Sequence, residues 1–137
     1  MRVVVAIDSF KGSMSSLEAG EAILKGIRKA YKDAEVEIRP LADGGEGTVE
    51  ALSIGMGGRL INVDVTGPAG RKVNAVYGIV DSSKTAIIEM SQAAGITLVS
   101  GDEKNPLYTT TFGVGEIIKD AIKNGCRHFV VGIGGSA

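Results

Sequence analysis

The sequence predicts an α/β protein built in two parts. The chain opens with a βαβα alternation, continues from Arg59 as three alternating strands, and lets three of its strands run directly into glycine-rich loops. The change of pattern places a boundary near Gly58. Residues 1–58 are then the N-terminal part of a parallel α/β domain, and residues 59–137 the first part of a second α/β domain built on an antiparallel meander.

Val3, Val4, Val5, Ala6 and Ile7 form an unbroken apolar run, the pattern of a strand buried on both faces of a parallel sheet. Ser15-Ser16-Leu17-Glu18 fits the S-x-x-E capping box, and Ile23, Ile27 and Ala30 recur at helical spacing, which predicts a helix over about 16–31. Residues 35–40 alternate charged with apolar side chains, as a less buried strand does. Thr48 opens a short helix through Val49 and Leu52 that Gly55, Gly57 and Gly58 end. Ile61, Val63 and Val65 alternate, Gly67-Pro68-Ala69-Gly70 turns the chain, and Val73, Ala75, Tyr77 and Ile79 alternate again. Asp81-Ser82-Ser83 turns it once more into a strand over 85–90. Residues 101–106 are polar and irregular. A helix over about 112–124 carries Val114, Ile117, Ile118, Ala121 and Ile122 on one face and ends at Gly125. The strand over 128–133 then enters Gly134-Gly135-Ser136-Ala137 with no helix to cover it. That predicts the N-terminal piece of a longer polypeptide, with both parts incomplete and the rest of the same chain missing.

Composition narrows the class of partner. Fifteen basic residues stand against 16 acidic ones in 137, with no like-charged run, so nothing marks a nucleic-acid or anionic-membrane surface. No stretch approaches the ~20 apolar residues of a membrane span. A single cysteine precludes an internal disulfide and fits a reducing, cytoplasmic setting. Twenty glycines against three prolines describe an ordered chain with many sharp turns.

Chemistry concentrates at the strand ends. Asp43-Gly44-Gly45-Glu46-Gly47-Thr48 joins two carboxylates, three glycines and a hydroxyl where open α/β sheets bind ligands; the plain alternative is a turn with Glu46 favouring a helix dipole. Bare carboxylates repel phosphate, so a metal ion, a substrate hydroxyl or a cationic side chain has to complete such a site. Asp8-Ser9-Phe10-Lys11-Gly12-Ser13 offers a lysine able to neutralise phosphate, or else one that is simply solvated. Gly132-x-Gly134-x-x-Ala137 matches the loose G-x-G-x-x-G/A pattern after a strand, without the acidic ribose ligand ~20 residues on, and no Walker A sequence occurs. Cys126 and His128 read as a small buried residue and a strand-edge residue. Glu89 and Gln92, near the end of the third meander strand, read as sheet-edge residues, the alternative being that they reach a cleft.

Together Asp8 to Ser13, Ala42 to Thr48, Asp64-Val65-Thr66-Gly67-Pro68 with Gly70, Glu89-Met90, Asn105-Pro106-Leu107 and Gly132 to Ala137 closely resemble class I bacterial glycerate kinases, in order and across essentially the whole chain. The resemblance implies a flavodoxin-like parallel-sheet domain with a second α/β domain inserted. It implies ATP- and Mg²⁺-dependent phosphorylation of D-glycerate, with 2-phosphoglycerate the favoured product. It also implies that the family continues well beyond Ala137, so that these residues alone turn over little or nothing. On this reading Lys11, Ser13 and the backbone of Gly12 hold the transferring phosphate or the substrate carboxylate. Asp43 takes the hydroxyl proton or holds Mg²⁺, Glu46 does whichever Asp43 does not, and Gly134, Gly135 and Ser136 face nucleotide phosphates. Asp8, Ser9, Gly44, Gly45, Gly47 and Thr48 complete the substrate side. The competing readings are a nucleotide-dependent oxidoreductase, from the terminal glycine pattern, and a non-catalytic anion-binding module.

Overall fold

Two pairs of parallel strands set the architecture. The computed structural model describes residues 1–10 and 13–137. β1 (Arg2–Ile7) and β2 (Glu35–Pro40) pair in parallel, Arg2 opposite Glu35 and Ile7 opposite Pro40, through the crossover helix α1 (Ser16–Ala30). α1 begins where the capping box places it: the Ser15 hydroxyl accepts from the Glu18 N–H at 3.2 Å, and the Glu18 carboxylate accepts from the Ser15 N–H at 2.8 Å. Its buried residues are Ser16, Ala19 and Gly20, at the N-terminal end of the same stripe that the apolar spacing predicts, while Ile23 is exposed and Ile27 half-buried. A Cβ on Gly20 would meet the Ile38 side chain at 2.6 Å, which shows how closely α1 approaches β2.

α2 (Thr48–Gly55) leads into a second sheet of order β3-β4-β5-β6, formed by Arg59–Thr66, Lys72–Val80, Thr85–Glu89 and His128–Gly132. The first three strands are the expected antiparallel meander. β6 adds to β5 in parallel, with Thr85 opposite His128 and Glu89 opposite Gly132. A parallel neighbour requires a long crossover, and here it consists of α3 (Ser91–Ala94), two short 3₁₀ turns and α4 (Phe112–Lys123). Period-two alternation sends Ile88, Tyr77 and Ile79 toward α3 and α4, where Ile117, Ala121 and Cys126 close the main core. It sends Ile87 and Val80 toward Val49 of α2. The inner strands of the second sheet are therefore covered on both faces, while β6 stays exposed from His128 to Val131, and fully burying each of these isoleucines contributes roughly 1.5–3 kcal/mol.

One expectation gives way. β1 is not buried on both faces: Val5 is buried but Val4 is 63% exposed, because among the described residues β1 has only β2 beside it and α1 above one face. α2, which a boundary at Gly58 leaves with the first part, packs on the second sheet through Val49 and Leu52. Ser53 approaches Gly78 so closely that a Cβ there would lie 1.9 Å from its hydroxyl.

Candidate functional site

The parallel register within each pair brings the carboxyl ends of its two strands together. Ile7 lies opposite Pro40 and accepts the Leu41 N–H at 2.9 Å, so the Asp8 and Asp43 loops leave the first sheet side by side. Glu89 lies opposite Gly132, and the Met90 N–H donates to the Gly132 carbonyl at 2.8 Å, so the loops after β5 and β6 leave the second sheet together.

The two sets of loops meet backbone to backbone. The Gly134 N–H donates to the Gly44 carbonyl at 2.9 Å. A Cβ on Gly132 would stand 2.5 Å from the Gly44 carbonyl oxygen, and one on Gly134 would stand 2.7 Å from the Gly45 Cα. No side chain fits in this seam. The G-x-G spacing that suggests a dinucleotide thus has a local explanation, since Gly132 and Gly134 are small in order to approach Gly44 and Gly45. Farther on, the Gly135 carbonyl accepts from the Ile96 N–H at 2.9 Å, the Ala137 N–H donates to Ala94 at 2.8 Å, and Ser136 bridges Gly95.

Two cavities flank the seam. One of about 360 Å³ is lined by Asp8, Ser9, Asp43, Gly45 and Glu46 from the first set of loops and by Glu89, Ser91, Gln92, Gly134 and Gly135 from the second. The other, of about 490 Å³, shares Asp8, Ser9, Glu46, Glu89 and Gln92 and adds Ser13, Gly47 and the apolar Val49, Leu60 and Val76. Phe10 and Met14 pair across the Asp8 loop, the Phe10 N–H donating to the Met14 carbonyl at 2.9 Å, and both side chains edge the larger cavity. The smaller cavity's described lining carries four carboxylates and no lysine or arginine, a donor set suited to hydroxyls and to a divalent cation.

Local bonds preset these groups. Asp43 Oδ1 accepts the Gly45 N–H at 3.0 Å, folding the carboxylate back over its own loop, and Asp8 Oδ1 accepts the Ser9 N–H at 2.6 Å. Gly47, with φ of 89°, supplies the left-handed residue that starts α2. Thr48 is turned inward, its hydroxyl donating to the Gly45 carbonyl at 2.7 Å, and lines neither cavity. Gly44 contributes its carbonyl to the seam. Lys11 and Gly12 lie outside the described residues. Among the described residues no three His, Cys, Asp or Glu side chains are grouped closely enough to hold a metal by themselves.

Matching this arrangement to known proteins decides the family, because a model of the glycerate kinase family fits residues 3–137. The chain belongs to the glycerate kinase family. It is 47% identical over its whole length to a glycerate kinase of Bacillus subtilis and, equally, to a glycerate 2-kinase of Escherichia coli, covering 36% of each. The crystal structure of a glycerate kinase 2 from Salmonella typhimurium LT2 superposes on 99% of the chain with a TM-score of 0.87 at 47% identity. The chain spans about a third of the length of these glycerate kinases.

Glu89 and Gln92 are where sequence reasoning fell short. Neither is a sheet-edge residue: Glu89 ends the internal strand β5 at 1% exposure, and Gln92 lies on α3 with its amide oxygen accepting the Val76 N–H at 3.3 Å. The signal was present in Thr85-Ala86-Ile87-Ile88-Glu89, where one carboxylate closes an otherwise uncharged strand that is buried throughout. Ser91 and Asn74, also in the cavity lining, carried no pattern.

Proposed function

We propose that the intact protein transfers the γ-phosphoryl group of ATP to D-glycerate, forming 2-phosphoglycerate and ADP, and that this chain supplies the acceptor side of the site. The observation that carries the reading is the convergence of Asp8, Asp43, Glu46, Gly134 and Gly135 on one cavity at the carboxyl ends of two parallel strand pairs. Family membership supports the reaction, and the glycerate 2-kinase among the relatives supports the 2-hydroxyl as acceptor.

Phosphoryl transfer asks the protein for positioning and charge neutralisation more than for covalent chemistry. The glycerate hydroxyl oxygen bonds to the γ-phosphorus as the bond to the β-phosphate oxygen breaks, and its proton passes to a carboxylate. Asp43 takes that role, preset by its bond to the Gly45 N–H, and Glu46 faces the same cavity as the second carboxylate. Mg²⁺ requires only one or two protein carboxylates beside phosphate and water, so the acid-rich lining fits it, with Asp43 or Glu46 as the residue holding it. When bound it supplies positive charge at the transferring phosphoryl oxygens. Lys11, with Ser13 and Gly12, serves the substrate carboxylate or phosphate. Asp8, Ser9, Gly45 and Gly47 shape the acceptor pocket, Gly44 and Thr48 hold its loop, and Gly134, Gly135 and Ser136 approach the nucleotide. The remainder of a longer polypeptide completes the flavodoxin-like layer from residues 1–58 and the inserted domain begun by residues 59–137, and the whole works in the cytoplasm.

Asp43→Asn keeps the acceptor for the Gly45 N–H while removing the charge. In the intact protein, ADP release with Mg-ATP and D-glycerate is expected to fall about 10²–10⁴-fold. Turnover within about threefold of wild type would remove Asp43 from the chemistry.

A further inference from the structure

We infer that Glu89 recognises the hydroxyl of the substrate that is not phosphorylated. The inference rests on the kinase reading above and assigns its specificity.

Glu89 is 1% exposed and lines both cavities, the only carboxylate buried among the described lining residues. Its contacts are few. Oε1 accepts from the Ser91 hydroxyl at 2.6 Å, and Oε2 accepts from the Val49 N–H in the first turn of α2 at a long 3.4 Å. A carboxylate has room for about four hydrogen bonds, and one removed from water has strong need of them. Two positions therefore remain at a cavity wall. The surrounding groups fix what can fill them. Val49, Leu60 and Val76 give the larger cavity an apolar wall, and the described lining offers no lysine or arginine to pair with Glu89. A neutral donor on a small carbon chain suits that place, and glycerate carries two hydroxyls.

Asp43 and Glu46 are exposed and lie on the glycine loop, where a reacting oxygen would be reached. Glu89 lines the smaller cavity together with Asp43, held there by the Val49 N–H of α2 and the Ser91 hydroxyl of α3. An acid bound with its 2-hydroxyl toward Asp43 then presents its 3-hydroxyl to Glu89. A site built to bond a hydroxyl penalises the analogue that lacks it, because its own buried acceptor is left unpaired. Glu89 is accordingly a specificity residue that separates glycerate from acids with a single hydroxyl.

The test is calorimetric binding of D-glycerate and of D-lactate, which lacks only the 3-hydroxyl, to the intact protein with turnover followed separately. Wild type is expected to bind D-glycerate at least about tenfold more tightly than D-lactate, and Glu89→Gln to reduce that preference to within about threefold by weakening D-glycerate alone. A purely structural role would weaken both acids alike, and that result overturns the inference, as does a wild type with no preference. Ser91→Ala removes one orienting hydroxyl while keeping the charge; it should lower D-glycerate affinity about threefold and leave D-lactate unchanged, and no change in either overturns the inference where Glu89→Gln does not fold. If wild type releases no ADP, the kinase reading falls; a D-glycerate preference that Glu89→Gln still abolishes then leaves Glu89 as the contact for the 3-hydroxyl alone.

Discussion

Tyr77 shows how much one side chain determines in the second sheet. It is fully buried on β4, donates to Asp120 Oδ2 at 2.8 Å and accepts from Asn124 Nδ2 at 3.1 Å, tying the end of α4 to the strand. Burial, reinforced by the Asp120 carboxylate, pushes its phenol far above the usual range. The folded state keeps the proton while an unfolded tyrosine loses it near pH 10. Stability is thus unaffected by this group below about pH 10 and declines as pH rises toward the raised folded value. Tyr77→Phe should flatten that alkaline decline, seen in urea unfolding from pH 8 to pH 11, and cost about 1 kcal/mol at neutral pH. Asn124 also donates to Asp120 directly at 3.1 Å, so the carboxylate keeps a partner in the variant. The alternation that places Tyr77 inward is plain in the sequence. Its partners are not, because Asp120 and Asn124 read only as polar positions on a helix.

Among the elements, the starts of helices were clearer than their packing. The Ser15–Glu18 box fixes where α1 begins, and both of its reciprocal bonds form. Ser15→Ala should therefore lower stability by about 1 kcal/mol in chemical unfolding, with no change in the denaturant slope. β2 and the three meander strands could be read from alternation, and α4 from its apolar stripe and Gly125. α3 could not be read, since four residues do not complete a period; what defines it is Gly95, where a Cβ would strike the Ser91 carbonyl at 2.3 Å. β1 shows the opposite failure. An apolar run records what each residue tolerates on both sides, not which neighbours are present, and Val4 lies open despite it.

For the molecule as a whole, the three glycine loops could be picked out as candidate sites, but the meeting of the Asp43 and Gly134 loops could not. Each announces itself after a strand, yet only the two parallel registers bring Gly44 and Gly45 against Gly132 and Gly134. Gly132→Ala should separate them, costing roughly 1–3 kcal/mol as an overpacked contact. Gly26→Ala, where a Cβ meets nothing within 4 Å, should instead gain about 0.5–1 kcal/mol. Urea midpoints of the two variants, moving in opposite directions, would check both. Glu89 belongs to the same scale: its burial follows from α2 covering one face of the second sheet while α3 turns away just beyond β5, an arrangement no local pattern carries.

Because the seam is made of main chain alone, it works as a joint whose fit does not depend on which side chains surround it. The walls on either side, Asp8 and Glu46 on one and Ser91 and Gln92 on the other, can be exchanged for different acids or amides without refitting the joint. Redesign of the cavity could therefore proceed wall by wall, provided the four glycines stay.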